Sequence, residues 1–376
     1  TCINRYDFLN LDKVTLRWQY DVNRQVVQQG RSLLRLAPHD TGQLRLSLKI
    51  LEKITEGEHR LAFTLVDHHG RQIYEHAVHL TAESGPIDYS VLPGPAPSRE
   101  RLNEMLKEPA SPFPPSVNLA KGVQVTTAAD NRVHIQMTGG LELSMPFVRV
   151  GRKPTMAERR TCRDQLWEPP VLKDGRLIKN EYRTSASGRL LYCEYEFARP
   201  DSSEQKIALT LWLFFADEGW VDVRYDLLPL QCNGLVQEFG LAMILSGQIA
   251  QVQWLGDGPY PAYPFKSELA ERGLFTIDQT DRYFNGNRMN VDVALLTDAS
   301  RRGFGFLGRA ENLCWEQEAT AMTVSHNVKV AGLGTKGTLP RLLVPIESVG
   351  KISGSYRLLF LTRNRFPDFL AKLFPK

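Results

Sequence analysis

The sequence predicts an all-β protein of two parts, a small β-sandwich followed by a large antiparallel β-sandwich. Three observations carry this. Apolar residues alternate with polar ones along most of the chain, as in Val14, Leu16, Trp18 and Tyr20, the pattern of strands with one buried face. Turn-forming residues separate these runs, with 28 Gly and 22 Pro in 376 residues. Eight of the prolines fall between Pro86 and Pro115, where the alternation lapses and a linker is expected.

Residues 1–83 hold the first group of strands. Leu44, Leu46, Leu48 and Ile50 alternate, as do Leu61, Phe63 and Leu65, and "DHHG" (67–70) reads as the turn of a hairpin. Within the linker, 84–116, "SRERLNEMLKEP" predicts one short helix. Ser98 can cap it, Leu102, Met105 and Leu106 share a face, and Pro109 ends it. Strands resume in 117–376 with "RVHIQM" (132–137), "RLLYCEYEF" (189–197), "KIALTLWLFF" (206–215) and, after the turn 217–219, "WVDVRYDL" (220–227). Further runs are expected at 241–254, 289–297 and 355–362. So many strands, with no internal repeat, predict a large antiparallel sandwich.

Composition narrows the function classes. The 46 Lys and Arg against 42 Asp and Glu leave a net charge of +4, spread along the chain, which gives no electrostatic case for nucleic acid. No apolar run approaches the roughly 20 residues of a membrane span. The opening "TCINRYDFLNLD" has no charged and apolar leader and reads as mid-domain sequence, so a segment of a longer chain is expected. The compartment stays open between periplasmic, extracellular and cytoplasmic. The five cysteines form no C-x-x-C pair, and buried free thiols are expected.

Several residue groups could carry chemistry. Gly332, Gly334 and Gly337 in "NVKVAGLGTKGTLP" (327–340) have the spacing of a dinucleotide loop, but that loop requires a following helix whose amides hold the pyrophosphate. Pro340 and Pro345 oppose such a helix, and a glycine-rich turn between strands is expected instead. The histidines cluster early (His39, His59, His68, His69, His76, His79) in a pattern that predicts surface positions and no metal site. No G-x-S-x-G elbow occurs, and the carboxylates read mostly as solvated groups. Trp254, Tyr260 and Tyr263 in "WLGDGPYPAYPFK" lie beside turn formers, where rigid aromatics can stack on a sugar or simply pack. No cofactor is expected.

Several segments carry a resemblance. "INRYDFLNLDKVTLRWQYDVNRQVVQQG" (3–30), with Asn4 to Asp12 as "NRYDFLNLD", resembles the start of the immunoglobulin-like domain that follows the catalytic barrel in family 2 glycoside hydrolases of the β-galactosidase type. "VQWLGDGPYPAYPFK" resembles the "WLGxGPxExYPDR" signature of the same enzymes' β-supersandwich, a galactose-mutarotase-like fold. "GNRMNVDVALLTDASRRGFGF" (286–306) and Ser325–His326 match further positions. The glycine loop is similar to the family's "GxGGxxSW", with Leu339 where the family has a tryptophan. The "WRAPTDND" region appears as "FVRVGRKPTMAE" (147–158), its acidic residues replaced.

The resemblance implies a C-terminal portion of a retaining hydrolase, or a separate small subunit of one. Its two catalytic glutamates would lie on a TIM barrel before residue 1, so no hydrolysis is expected from this chain alone and no residue of it is assigned a catalytic role. The implied partners are that barrel and a carbohydrate, with no nucleic acid or membrane, and an oligomer is allowed. The implied substrate-side residues are Lys336, Thr338, Leu339, Trp254, Tyr263 and His326. Two other readings stay open: a stand-alone carbohydrate-binding or scaffold module, and aldose-1-epimerase-like chemistry, which would need a His and Glu pair drawn on His134 or His326.

Overall fold

The computed structural model describes residues 2–4, 7–8, 10–22, 25–43, 46, 59–79, 96–120, 122–127, 130–185, 188–217, 219–264, 270–333 and 342–361. Chain contacts divide it into a unit over Thr1–Asp88 and a unit over Tyr89–Leu373.

In the first unit, strands β1 (Thr15–Val22), β2 (Gln25–Leu33), β3 (His59–Val66) and β4 (Gln72–His79) form one antiparallel sheet in the order β2-β1-β3-β4. Period two shows directly in the packing, where Leu16 and Tyr20 are buried and Arg17 is exposed. Leu11, Val14, Leu16 and Leu34 make a small core with Phe63 and Leu65. Asn4 is buried, and its Nδ2 donates to the carbonyl of Leu36 at 3.0 Å, which ties the "NRYDF" segment to the chain that follows β2. The "DHHG" turn forms as the sequence predicts. Asp67 Oδ1 accepts from the amides of His69 and Arg71 at 2.9 and 2.8 Å, and Gly70 takes a φ of +81° that its lack of a Cβ permits. The run Leu44–Ile50 lies largely outside the described residues.

The second unit is one large antiparallel sheet. Its strands of four residues or more are β5 (Val117–Ala120), β6 (Val123–Thr127), β7 (Val133–Met137), β8 (Leu141–Arg149), β9 (Gly175–Ser185), β10 (Gly188–Arg199), β11 (Ser202–Phe215), β12 (Val221–Leu230), β13 (Glu238–Ser246), β14 (Gln251–Gly258), β15 (Glu271–Asp278), β16 (Gly286–Thr297), β17 (Gly303–Gln317), β18 (Ala321–Val330) and β19 (Ile352–Leu361). The order is β9-β10-β11-β12-β19-β17-β18-β13-β8-β7-β6-β5, with β16, β14 and β15 branching from β17. The branch arises because β17 is shared: Gly303 to Leu307 pair with β19, and Asn312 to Gln317 pair with β18.

The core sits on one face of this sheet and holds Leu143, Leu211, Leu213, Phe215, Val223, Tyr225, Leu241, Met243, Trp315 and Val324. The expected single run 241–254 is two strands, β13 and β14. They part at Gly247, whose φ of +106° turns the chain where a side chain would be strained.

Helix α1 (Arg99–Met105) begins at Ser98, whose Oγ accepts from the amide of Arg101 at 3.3 Å. Leu102 and Met105 pack on Leu190, Trp212 and Phe214, each burial contributing roughly 1.5–3 kcal/mol. Asp226 holds the same face: it pairs with Arg99 of α1, accepts from Ser353 Oγ at 2.6 Å and lies 2.8 Å from Lys351 Nζ. Burial alone would raise its pKa, but the hydrogen bonds from Lys351 and Ser353 and the charge of Arg99 hold it below the usual carboxylate range. A depressed folded pKa contributes stability above the unfolded value of about 3.9, lost as pH falls through the folded value. Asp226→Asn should therefore lower unfolding stability by about 1.5–3 kcal/mol at neutral pH, and the difference from wild type should shrink below pH 4. Denaturant melts at several pH values check this.

Candidate functional site

Strand register places a polar shelf on the face opposite the core. Across β8, β13, β18, β17 and β16, the aligned residues Val148, Leu241, His326, Leu313 and Arg288 form one row. On one side of it lies the row Phe147, Ala242, Ser325, Cys314 and Asn287, and on the other side Arg149, Gly240, Asn327 and Asn312. Neighbouring residues of a strand point to opposite faces. Arg149, Asn327, Ser325, Cys314 and Asn287 therefore share the side away from the core, while His326 and Arg288 point into it.

Arg149 organises the shelf. Its Nε donates to Glu238 Oε2 at 2.7 Å and its Nη1 to Glu316 Oε2 at 2.6 Å, while Asn327 Nδ2 donates to Glu238 Oε2 at 3.3 Å. Arg149 and Glu238 are both about 1% exposed, whereas the Glu316 side chain keeps 31% and opens the network to solvent. Burial works against the Arg149 charge, but Glu238 and Glu316 outweigh it and keep the guanidinium protonated. Glu238 bears the desolvation: burial pushes its carboxyl up, and Arg149 and Arg152 only partly offset this.

Arg152 fastens the adjoining loop. It donates to Glu158 Oε1 at 2.8 Å, to the Gln237 carbonyl at 3.2 Å and to the Gly332 carbonyl at 3.5 Å. Glu158 also closes a capping box with Thr155 at the start of helix α2 (Met156–Thr161). The chain thus grips Gly332, the first glycine of the loop that the sequence singled out. Past that loop it is back in strand pairing at Val344, opposite Val236. Lys336, Thr338 and Leu339 lie outside the described residues.

The remaining candidates separate by burial. Trp254, a candidate for the sugar side, lies in the core. It is 1% exposed, packs against Phe275 and Trp315, and its Nε1 donates to the Asp257 carbonyl at 3.1 Å. Its ring also faces Arg288 at 5.0 Å, and Trp315 faces the same guanidinium at 4.8 Å. That arginine has two π faces and backbone carbonyls in place of a carboxylate, and burial pushes its pKa down to about 10.

Tyr263 is half-buried; its ring faces Arg152 at 5.2 Å, its hydroxyl accepts from the Asn287 amide at 3.3 Å, and burial raises its pKa. Tyr260 meets Tyr283 edge-on at 4.9 Å, and Tyr283 is 36% exposed. Gly286 allows this segment to lie close, since a Cβ there would come within 3.0 Å of Pro261.

His326 is likewise sealed at 1% exposure. Its Nδ1 meets the Tyr225 hydroxyl at 2.8 Å, and its Nε2 lies 2.9 Å from Glu311 Oε2. His134 lies between Glu142 at 2.8 Å and Asp130 at 3.3 Å, with Ser144 Oγ 3.1 Å from the same ring. With both ring nitrogens facing carboxylates, this is an ion cluster, not an activated nucleophile. Among the described residues, no group of three or more His, Cys, Asp or Glu is placed to hold a metal.

Sequence reasoning took the carboxylates mostly as solvated and missed Glu158 and Glu238, both buried and paired. A signal was present: β8 is buried almost throughout and still ends on Arg149, and a charge in a continuous apolar run requires a buried partner.

The family model "Beta-galactosidase, domain 4" matches residues 1–81, and "Beta galactosidase small chain" matches residues 125–340. The second match spans more than half of the chain, which therefore belongs to the β-galactosidase small-chain family. No curated protein matches. Among solved structures, a provisionally assigned aldose 1-epimerase from Escherichia coli K12 aligns at 8% identity and a TM-score of 0.34, covering 66% of this chain and 98% of its own. So distant a likeness says nothing about chemistry.

Proposed function

We propose that this chain is the non-catalytic C-terminal portion of a retaining β-galactosidase-like glycoside hydrolase of family 2, supporting a catalytic barrel and lining the edge of its sugar site. The observation that carries this reading is the pair of family matches, residues 1–81 and 125–340, in consecutive order. The carboxylate chemistry is consistent with a supporting role. A retaining glycosidase needs two carboxyl groups that reach the scissile bond from either side. Glu238 is inaccessible, and Arg149 bridges it to Glu316. The glycine loop, with Lys336, Thr338 and Leu339, would approach the sugar from the anchor that Arg152 makes at Gly332. Leu339 offers apolar bulk without a flat ring.

The chain purified alone should show no turnover of a chromogenic β-galactoside, and adding the catalytic portion of the enzyme should restore it. Turnover by the isolated chain would overturn the proposal.

A stand-alone carbohydrate-binding module is the second reading, favoured by the edge-on pair of half-buried Tyr260 and exposed Tyr283. Binding on a glycan array with no restoration of turnover would select it. Epimerase-like chemistry is disfavoured because, among the described residues, the ring paired to a glutamate on the core side, His326, is sealed from solvent.

A further inference from the structure

We propose that the exposed cations of residues 153–163 bind the anionic groups of a carboxylated or sulfated saccharide at the rim of the sugar site. The inference rests on the function proposed above, which puts a sugar beside the glycine loop.

Lys153, Arg159, Arg160 and Arg163 are all exposed. Their side chains make no ion pair, hydrogen bond or ring contact with the described residues. Other arginines of the same unit have carboxylate partners: exposed Arg176 lies 2.6 Å from Glu196, and half-buried Arg132 and Arg302 lie 2.9 Å from Asp130 and 2.7 Å from Asp298. The segment has two carboxylates of its own over residues 153–164. Glu158 is buried and committed to Arg152, which leaves Asp164 as the exposed one. Four cations against one free carboxylate repel one another, and an anion would relieve that repulsion.

The segment is fastened at both ends. The Arg152–Glu158 pair and the Thr155–Glu158 capping box fix its start. Farther on, Cys162 and Leu166 form an apolar cluster with Ala331 and Leu343, the residues on either side of the glycine loop. The segment that carries the cations is therefore anchored at Gly332 and at Ala331 and Leu343, which flank the loop in sequence. Guanidinium groups recognise carboxylates and sulfates through paired N–H donors. A neutral sugar would gain little from four donors, whereas an anionic one meets charge with charge. Met156, 70% exposed in the midst of these residues, offers an apolar contact to the C–H face of a ring.

Calorimetric titration of the full chain with an oligogalacturonate, a sulfated galactan oligosaccharide and a neutral galactan oligosaccharide of equal length tests this. At least one anionic ligand should bind about ten-fold or more tightly than the neutral one, and the binding should weaken as salt rises. The combined variant Arg159→Gln, Arg160→Gln, Arg163→Gln should lose that preference. Replacing the same three residues by Lys should retain much of it. A control with Lys107→Gln, Arg176→Gln and Lys179→Gln, which removes equal charge elsewhere, should bind as wild type.

The carboxylated and sulfated arms decide between the two anions. Equal affinity for neutral and anionic ligands would overturn the proposal, as would equal loss in the control or charge-dependent binding confined to an acidic protein. These titrations use the chain alone. Their failure is therefore distinct from a failure to restore hydrolysis.

Discussion

Replacing Arg149 by methionine should lower the unfolding stability of the second unit by about 3–5 kcal/mol, the range for removing one partner of a buried ion pair. The reason is the charge left behind. Glu238 is 1% exposed, and its Oε2 takes hydrogen bonds from Arg149 at 2.7 Å and from Asn327 at 3.3 Å. Without Arg149, burial that already raises the Glu238 pKa acts with little opposition, and the carboxyl takes up a proton. A raised folded pKa favours the fold below the unfolded value of about 4.3 and withdraws that favour as pH rises. The deficit of Arg149→Met should therefore grow from acid to neutral pH. Adding Glu238→Gln, which removes the orphan charge, should recover a large part of it. Urea unfolding of the single and double variants at acid and neutral pH measures both effects. A loss under 1 kcal/mol would mean that the shelf is solvated and the pair weak.

Trp254→Ala should cost about 3–5 kcal/mol, as expected for truncating a fully buried tryptophan. The ring fills space between Phe275 and Trp315, with ring centroids 5.4 and 5.5 Å away, and gives Arg288 one of its two π faces. Arg288 would then be buried with one face uncovered, adding to the cavity cost. A stacking platform would behave differently: stability would change little and saccharide affinity would fall. Thermal unfolding measured with and without saccharide separates the two. A stable variant with lost sugar binding would return Trp254 to the surface role that its loop-rich neighbourhood suggests.

The positions that misled sequence reading share a cause. Trp254 closes the expected strand run 241–254, and the turn formers that follow it in "WLGDGPYPAYPFK" suggest a loop edge where a ring could stack. The observed strand β14 runs through Gly258, and the glycines stand inside it because neighbouring rings press close: a Cβ at Gly258 would lie 2.5 Å from Phe275. Composition of a window reports turn tendency, not which side chain a distant strand will cover. His326 shows the same limit. Its place in "TVSHNVKV" says strand, but its pairing with Tyr225 and Glu311 joins residues 101 and 15 positions away. The helix at 99–105 was legible because its signals are local, with Ser98 before it and Pro109 after it. Three of the residues assigned to the sugar side by resemblance, Lys336, Thr338 and Leu339, stay proposals, since the described residues stop at 333 and resume at 342.

The alternation of apolar residues, the glycine and proline punctuation and the "NRYDFLNLD" match, all short-range properties, were enough by themselves to determine the all-β class, most strand positions and the family. Only the tertiary structure decided which charges are buried, that Trp254 is core, and that the segment 152–166 is anchored at Gly332, Ala331 and Leu343. Those outcomes depend on strand register across the sheet. Register is set by the summed packing of many distant residues, and no local window of sequence contains it.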